Sequence, residues 1–202
     1  MPAPPKTIIR PNTYYHIYNR GVNRRTIFRE EDDFLRFWSL LKKWMEPVGQ
    51  VFSYALMRDH FHLTVGMYAT SKLPPELLRK PHTLGNTFGH LQNAYAMYFN
   101  KKYRTVSGLF EKSYERKEIT SAQYFRHLVV YHHRNPVKHG AVTDFRYYRW
   151  TSYQEYSNPQ VESFIDVDLG FQKFGGRQAF FAAHQTDVPL ARMLDTDLEF
   201  TG

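Results

Sequence analysis

His60-Phe61-His62-Leu63-Thr64-Val65-Gly66-Met67 alternates strictly along its length. A strand over residues 60–67 puts His60, His62, Thr64 and Gly66 on one face and Phe61, Leu63, Val65 and Met67 on the other. The apolar face is expected to join a core, which leaves the histidine face for chemistry. Two imidazoles two positions apart on a strand project side by side, and imidazole nitrogen is a common metal ligand. The plainer reading makes them polar residues of a half-buried strand, bonded to their neighbours.

Working outward, residues 13–19 (Thr-Tyr-Tyr-His-Ile-Tyr-Asn) are rich in β-formers and stop at Arg20-Gly21, so they read as a first strand. A helix over 29–46 follows. Acidic residues Glu30 to Asp33 favour its first turn, Phe34, Phe37, Leu41, Trp44 and Met45 recur at helical spacing, and Pro47-Val48-Gly49 ends it. A second strand from Gln50 to Met57 turns through Arg58-Asp59 into the histidine strand. After a proline-containing loop over 72–81, a second helix over 83–102 is striped by Leu84, Phe88, Leu91, Tyr95 and Phe99, and residues 107–119 read as a further strand. The order strand, helix, strand, strand, helix, strand is that of an α+β, ferredoxin-like split βαβ fold: an antiparallel sheet with both helices on one face. The histidines then lie on a middle strand and face away from those helices.

A third helix begins near Thr120-Ser121, with serine a suitable N-cap, and carries Tyr124, Leu128, Tyr131 and Asn135 on one stripe until Pro136 ends it or begins its exit. This helix is placed over the histidine face. Tyr131 and Asn135, four apart, project to the same side. The amide oxygen of Asn135 is a reasonable hard ligand beside two imidazoles, and the Tyr131 phenol could lie close to a metal-bound phosphate. The alternative is that Tyr131 fills the core and Asn135 only marks a helix end.

Composition narrows the chemistry. The chain of 202 residues is 42% hydrophobic and 17% aromatic, ample for a packed core. It has no cysteine, so disulfides, thiolate metal sites and cysteine nucleophiles are excluded, and nitrogen and oxygen ligands favour magnesium or manganese over zinc. No apolar run reaches a membrane span and Met1 to Lys6 lacks the apolar stretch of a signal peptide, so the expectation is a soluble, cytoplasmic protein. Charge divides the chain. From residue 160 onward there are three basic against seven acidic side chains, whereas residues 1–159 hold 24 basic against 12 acidic. A basic body attracts a phosphate backbone by counterion release. Arg20, Arg24, Arg25, Lys112, Arg116 and Lys117 are the candidate phosphate contacts, and residues 1–158 and an acidic extension over 159–202 are the expected units. The extension is expected to pack on the core, with a short helix around 177–184, and to shield the basic surface or support a homodimer.

Five blocks occur in an order that resembles transposases similar to the IS200 group, and more closely their REP-associated tyrosine transposase relatives: Arg20-Gly21-Val22-Asn23-Arg24-Arg25-Thr26-Ile27-Phe28, Met57-Arg58-Asp59-His60-Phe61-His62, Ser107-Gly108-Leu109-Phe110-Glu111, the run from Tyr131 to Gly140, and Trp150-Thr151-Ser152-Tyr153. The resemblance spans roughly residues 13–155. It implies a metal-dependent enzyme that nicks and joins single-stranded DNA, with hairpin-forming repeats as substrate and a 5′-phosphotyrosine intermediate. His60 and His62 become the metal pair, Asn135 the third ligand and Tyr131 the nucleophile. Two positions depart from the family pattern: Arg58-Asp59 stands where Pro-Asn is common, and Tyr131-His132-His133 where Tyr-Ile-His is common. Two rival readings are a non-cutting nucleic-acid-binding module on the same fold and a phosphoesterase that uses water.

Overall fold

The computed structural model describes residues 7–80, 82–106, 108–111, 113–158, 160–161 and 163–185. Strands β1 (Tyr14–Arg20), β2 (Gly49–Met57), β3 (His60–Met67) and β4 (Glu115–Glu118) form one sheet in the order β2-β3-β1-β4, antiparallel at every pairing. Helix α1 (Glu31–Met45) joins β1 to β2, and α2 (Thr83–Tyr103) joins β3 to β4. This is the ferredoxin-like arrangement expected from the order of elements, with the histidine strand in the middle of the sheet.

The pleat explains the two layers. Phe61, Leu63 and Val65 of β3 are fully buried, together with Tyr15 and Ile17 of β1 and with Phe37, Leu41, Leu91 and Tyr95 of the two helices. Phe37 touches both Phe61 and Tyr95, with ring centroids 4.9 and 5.2 Å apart, so α1 and α2 share one core against the sheet. The start of α1 is fixed by a reciprocal capping box between Glu30 and Asp33. Asp33 also accepts hydrogen bonds from Tyr103 (2.7 Å), Tyr98 (3.1 Å) and Lys102 (3.0 Å), tying the N-terminus of α1 to the C-terminus of α2.

The strand expected over 107–119 is much shorter. Only Glu115–Glu118 pair along β1, while Phe110 makes a single bridge to Gly21 and Ser107 lies outside the described residues. Tyr114 accounts for the break: its side chain turns inward and its hydroxyl donates to the Gly85 carbonyl of α2 at 2.7 Å. That anchors the segment to a helix before it reaches the sheet edge.

Helix α3 (Ala122–Lys138) covers the opposite face of the sheet, packing on β2 and β3. Ser121 caps it, accepting from the Tyr124 N–H at 3.0 Å. Pro136 begins the exit from the helix rather than ending it outright. It sits in the last turn, where its missing N–H costs one bond to the His132 carbonyl, and the turn closes through His139 N–H to the Asn135 carbonyl and Ala141 N–H to the Pro136 carbonyl.

Helices α4 (Tyr153–Ser157), α5 (Val167–Phe174) and α6 (Arg177–Gln185) follow. Ile165, Phe174 and Phe180 belong to the same buried cluster as the sheet, and residues beyond 185 lie outside the described part. A hydrogen-bond chain joins α3 to this region, and its directions follow from one carbonyl. His184 Nδ1 must donate to the Phe180 carbonyl (2.8 Å), so His184 Nε2 accepts from His133 Nδ1 (2.8 Å), and His133 Nε2 accepts from the Ser152 hydroxyl (2.8 Å). Ser152 Oγ in turn accepts from the Tyr54 N–H of β2 at 3.0 Å. The free side of β2 is covered by the same region: Leu56 N–H donates to the Trp150 carbonyl, and Ser152 N–H to the Tyr54 carbonyl. No helix among the described residues is long and apolar enough to cross a membrane.

Candidate metal and nucleophile site

β3 and α3 bring the predicted residues together. His60 and His62 project from β3 toward α3, their ring centroids 5.2 Å apart at 80°. The Asn135 amide oxygen lies 3.2 Å from His60 Nε2, and the Tyr131 ring stands edge-on to His62 with centroids 5.8 Å apart. All four side chains are buried; Tyr131 is 6% and His60 5% exposed. A bulky ligand therefore reaches this site only after neighbouring groups move aside.

The proton positions at His60 can be worked out. Asp59 lies 2.7 Å from His60 Nδ1, and that hydrogen bond, opposed by partial burial, holds the Asp59 carboxyl below its usual range. As a carboxylate, Asp59 only accepts, so His60 Nδ1 carries the hydrogen. In the neutral ring Nε2 is then a bare lone pair facing the Asn135 oxygen, a second acceptor. The two atoms lie 3.2 Å apart, close enough for both lone pairs to be offered to one ion. The donor set of two imidazoles and an amide oxygen therefore suits a divalent ion, and Asp59 is the outer partner that orients His60.

Two further histidines complete the neighbourhood: His132, which the sequence marks as a departure from the family pattern, and His16, which the sequence reading passed over. His16 of β1 and His132 of α3 are fully buried, and with His62 they offer one ring nitrogen each within 4.8 Å of one another, a set that could hold a metal ion. Burial pushes the pKa of all three below the usual histidine value, that of His132 to about 3, so these rings are neutral at physiological pH. His16 was detectable in principle: it alternates with Tyr18 on the face of β1 that adjoins the histidines of β3.

The basic candidates disperse. Arg24 is exposed beside Asn23, both with left-handed backbone (φ 57° and 53°), and Arg25 lies over the Phe99 ring. Arg20 is ion-paired to Glu111 at 2.8 Å. Arg116 and Lys117 are neighbours on β4 and so face opposite sides of the sheet. Arg116 aligns with Ile17 on the α1–α2 side and stacks on Tyr114, whereas Lys117 aligns with His16 on the histidine side. Lys112 lies outside the described residues.

No protein-family model matches the chain, and no curated protein matches its sequence. Among solved structures, one with a similar fold is that of a REP-associated tyrosine transposase bound to a REP hairpin, with a TM-score of 0.57 over 83% of this chain and 93% of that one. Identity is 14%, so the likeness is one of fold.

Proposed function

We propose that the chain nicks and rejoins single-stranded DNA, with Tyr131 as nucleophile and His60, His62 and Asn135 as ligands of a magnesium or manganese ion. The observation that carries this reading is the facing pair of acceptors, His60 Nε2 and Asn135 Oδ1, one α3 turn from a tyrosine that adjoins His62. The fold neighbour, a tyrosine transposase bound to a hairpin, supports it further.

A divalent ion held by these residues would offset charge on a non-bridging phosphate oxygen and make phosphorus more electrophilic. Asp59 fixes the His60 tautomer, and α3 holds Tyr131 and Asn135 in one register so that ligand and nucleophile address the same phosphate. The Tyr131 oxygen forms a bond to phosphorus as the bond to the 3′ oxygen breaks, leaving a 5′-phosphotyrosine and a free 3′-hydroxyl. Attack by a 3′-hydroxyl reverses the exchange, so joining needs no nucleotide cofactor. Arg24, Arg25 and Lys117 serve as phosphate contacts. A catalytic body over 1–158 with the 159–202 extension packed on its core, the cytoplasmic location and a homodimer are parts of the same proposal.

The burial of Tyr131 favours a second reading, a nucleic-acid-binding module that does not cut. The two are separated by incubating native protein and His60→Ala with labelled single-stranded hairpin DNA and either metal. The nicking reading predicts metal-dependent cutting by native protein alone. Equally tight binding by both without any cut strand would favour the module.

A further inference from the structure

His16, His62 and His132 differ in chemistry from the His60–Asn135 set beside them. There is no carboxylate or amide among them, and three neutral imidazoles suit ions of the zinc, cobalt, nickel and copper class, whereas magnesium and manganese prefer oxygen. His16 and His62 are hydrogen-bonded ring to ring, so an ion entering here would replace the proton they share. His16 Nε2 and His62 Nδ1 lie 3.0 Å apart in nearly parallel rings, and two nitrogens bound tetrahedrally to one zinc-class ion at about 2.0–2.1 Å would be separated by about 3.3 Å.

His132 supplies the third nitrogen. Its Nδ1 is hydrogen-bonded to the Ser53 hydroxyl at 2.9 Å, with the Thr64 hydroxyl at 3.5 Å, while its Nε2 is buried and has no partner. If Nδ1 donates to Ser53, Nε2 keeps a bare lone pair. The opposite tautomer would bury an unpaired N–H, the costlier choice. Ser53 thus orients His132 as an outer partner orients a ligand.

We propose that His16, His62 and His132 form a second metal site, buried behind the first, that takes a zinc-class transition ion. His62 belongs to both sets. A neutral imidazole has one lone pair, so an ion on His62 Nδ1 leaves the proton on Nε2 and withdraws His62 from the outer set. The two sites are then mutually exclusive, and a zinc-class ion acts as an antagonist of the outer one. The inner site goes beyond the nicking reading and does not depend on it.

Cobalt(II) added to the metal-stripped full chain is the probe, read by visible absorption. The intense bands of a nitrogen-ligated, low-coordinate ion are expected in native protein and in Asn135→Ala, and their loss is expected in His132→Leu. Bands that survive His132→Leu, or that vanish in Asn135→Ala, overturn the proposal, as does failure of folded native protein to bind cobalt. Should His132→Leu not fold, the native chain alone decides: three hyperfine-shifted imidazole N–H resonances in histidine-labelled protein support the inner set, and two place the ion on the outer one.

Discussion

Asp33 shows how one residue couples two helices. Its carboxylate is wholly buried and accepts from the Arg29 N–H, Tyr103, Tyr98 and Lys102, so although burial alone would raise its pKa, these donors hold it below the usual value. A carboxylate depressed in the folded state contributes stability that is present above its unfolded pKa and is lost as pH falls through the folded value. Native protein should therefore lose this contribution only below about pH 4. Asp33→Asn turns an amide toward donors that need an acceptor; it should cost about 1–3 kcal/mol at neutral pH and leave less acid dependence below about pH 4, measured by urea unfolding across pH. An unchanged acid profile would show that Asp33 is not the group responsible.

Among the elements, β3 was the most legible, because strict alternation with one apolar face admits few alternatives. The helices α1 and α2 were readable from their stripes for the same reason. β4 was not: Glu115 to Glu118 has no apolar alternation, and the anchor that cuts the strand short is a tertiary bond from Tyr114 to Gly85. Helix α3 was legible as a helix but not in its surroundings. The predicted stripe of Tyr131 and Asn135 is only one side; His132 faces the sheet and His133 the C-terminal helices, so α3 is buried almost all round. Spacing within one element cannot reveal such a sandwich, which is why His16 was missed and His132 was noticed only as a departure from the family pattern. Close packing of α5 on α4 makes a direct test. A Cβ at Gly170 would lie 2.1 Å from the Tyr156 hydroxyl, which donates to the Phe52 carbonyl of β2. Gly170→Ala should displace Tyr156 and destabilise the fold by about 1–3 kcal/mol, seen as a lowered Tm. An unaltered Tm would mean that α5 is not held against Tyr156 in solution.

For the whole molecule, the C-terminal helices are part of the core although their charge differs from that of the body. Phe174, Phe180 and Ile165 are buried with the sheet, and His184 closes the hydrogen-bond chain that begins at Tyr54. Ending the chain at Asn158 should expose Tyr156 and leave His133 Nδ1 without its His184 acceptor, giving a protein with a loosened near-ultraviolet circular dichroism spectrum rather than an independent folded unit. A truncated chain with native spectrum and Tm would contradict that. The basic body predicts salt-sensitive association with single strands, the logarithm of affinity falling by about 0.7 per decade of salt for each phosphate neutralised. Reversing Lys117 on the histidine side, Lys117→Glu, should lower affinity and shallow that slope, whereas an unchanged slope would remove Lys117 from the contact surface.

The central claim, that Tyr131 exchanges a phosphodiester bond for a bond to itself, is most directly tested by mass spectrometry of the protein after incubation with hairpin-bearing single-stranded DNA and manganese, followed by nuclease and protease digestion. The account predicts a nucleotide attached to the peptide that contains Tyr131, absent without metal and absent in Tyr131→Phe. Cut DNA with no nucleotide on any peptide, or a nucleotide on a different tyrosine, would contradict it.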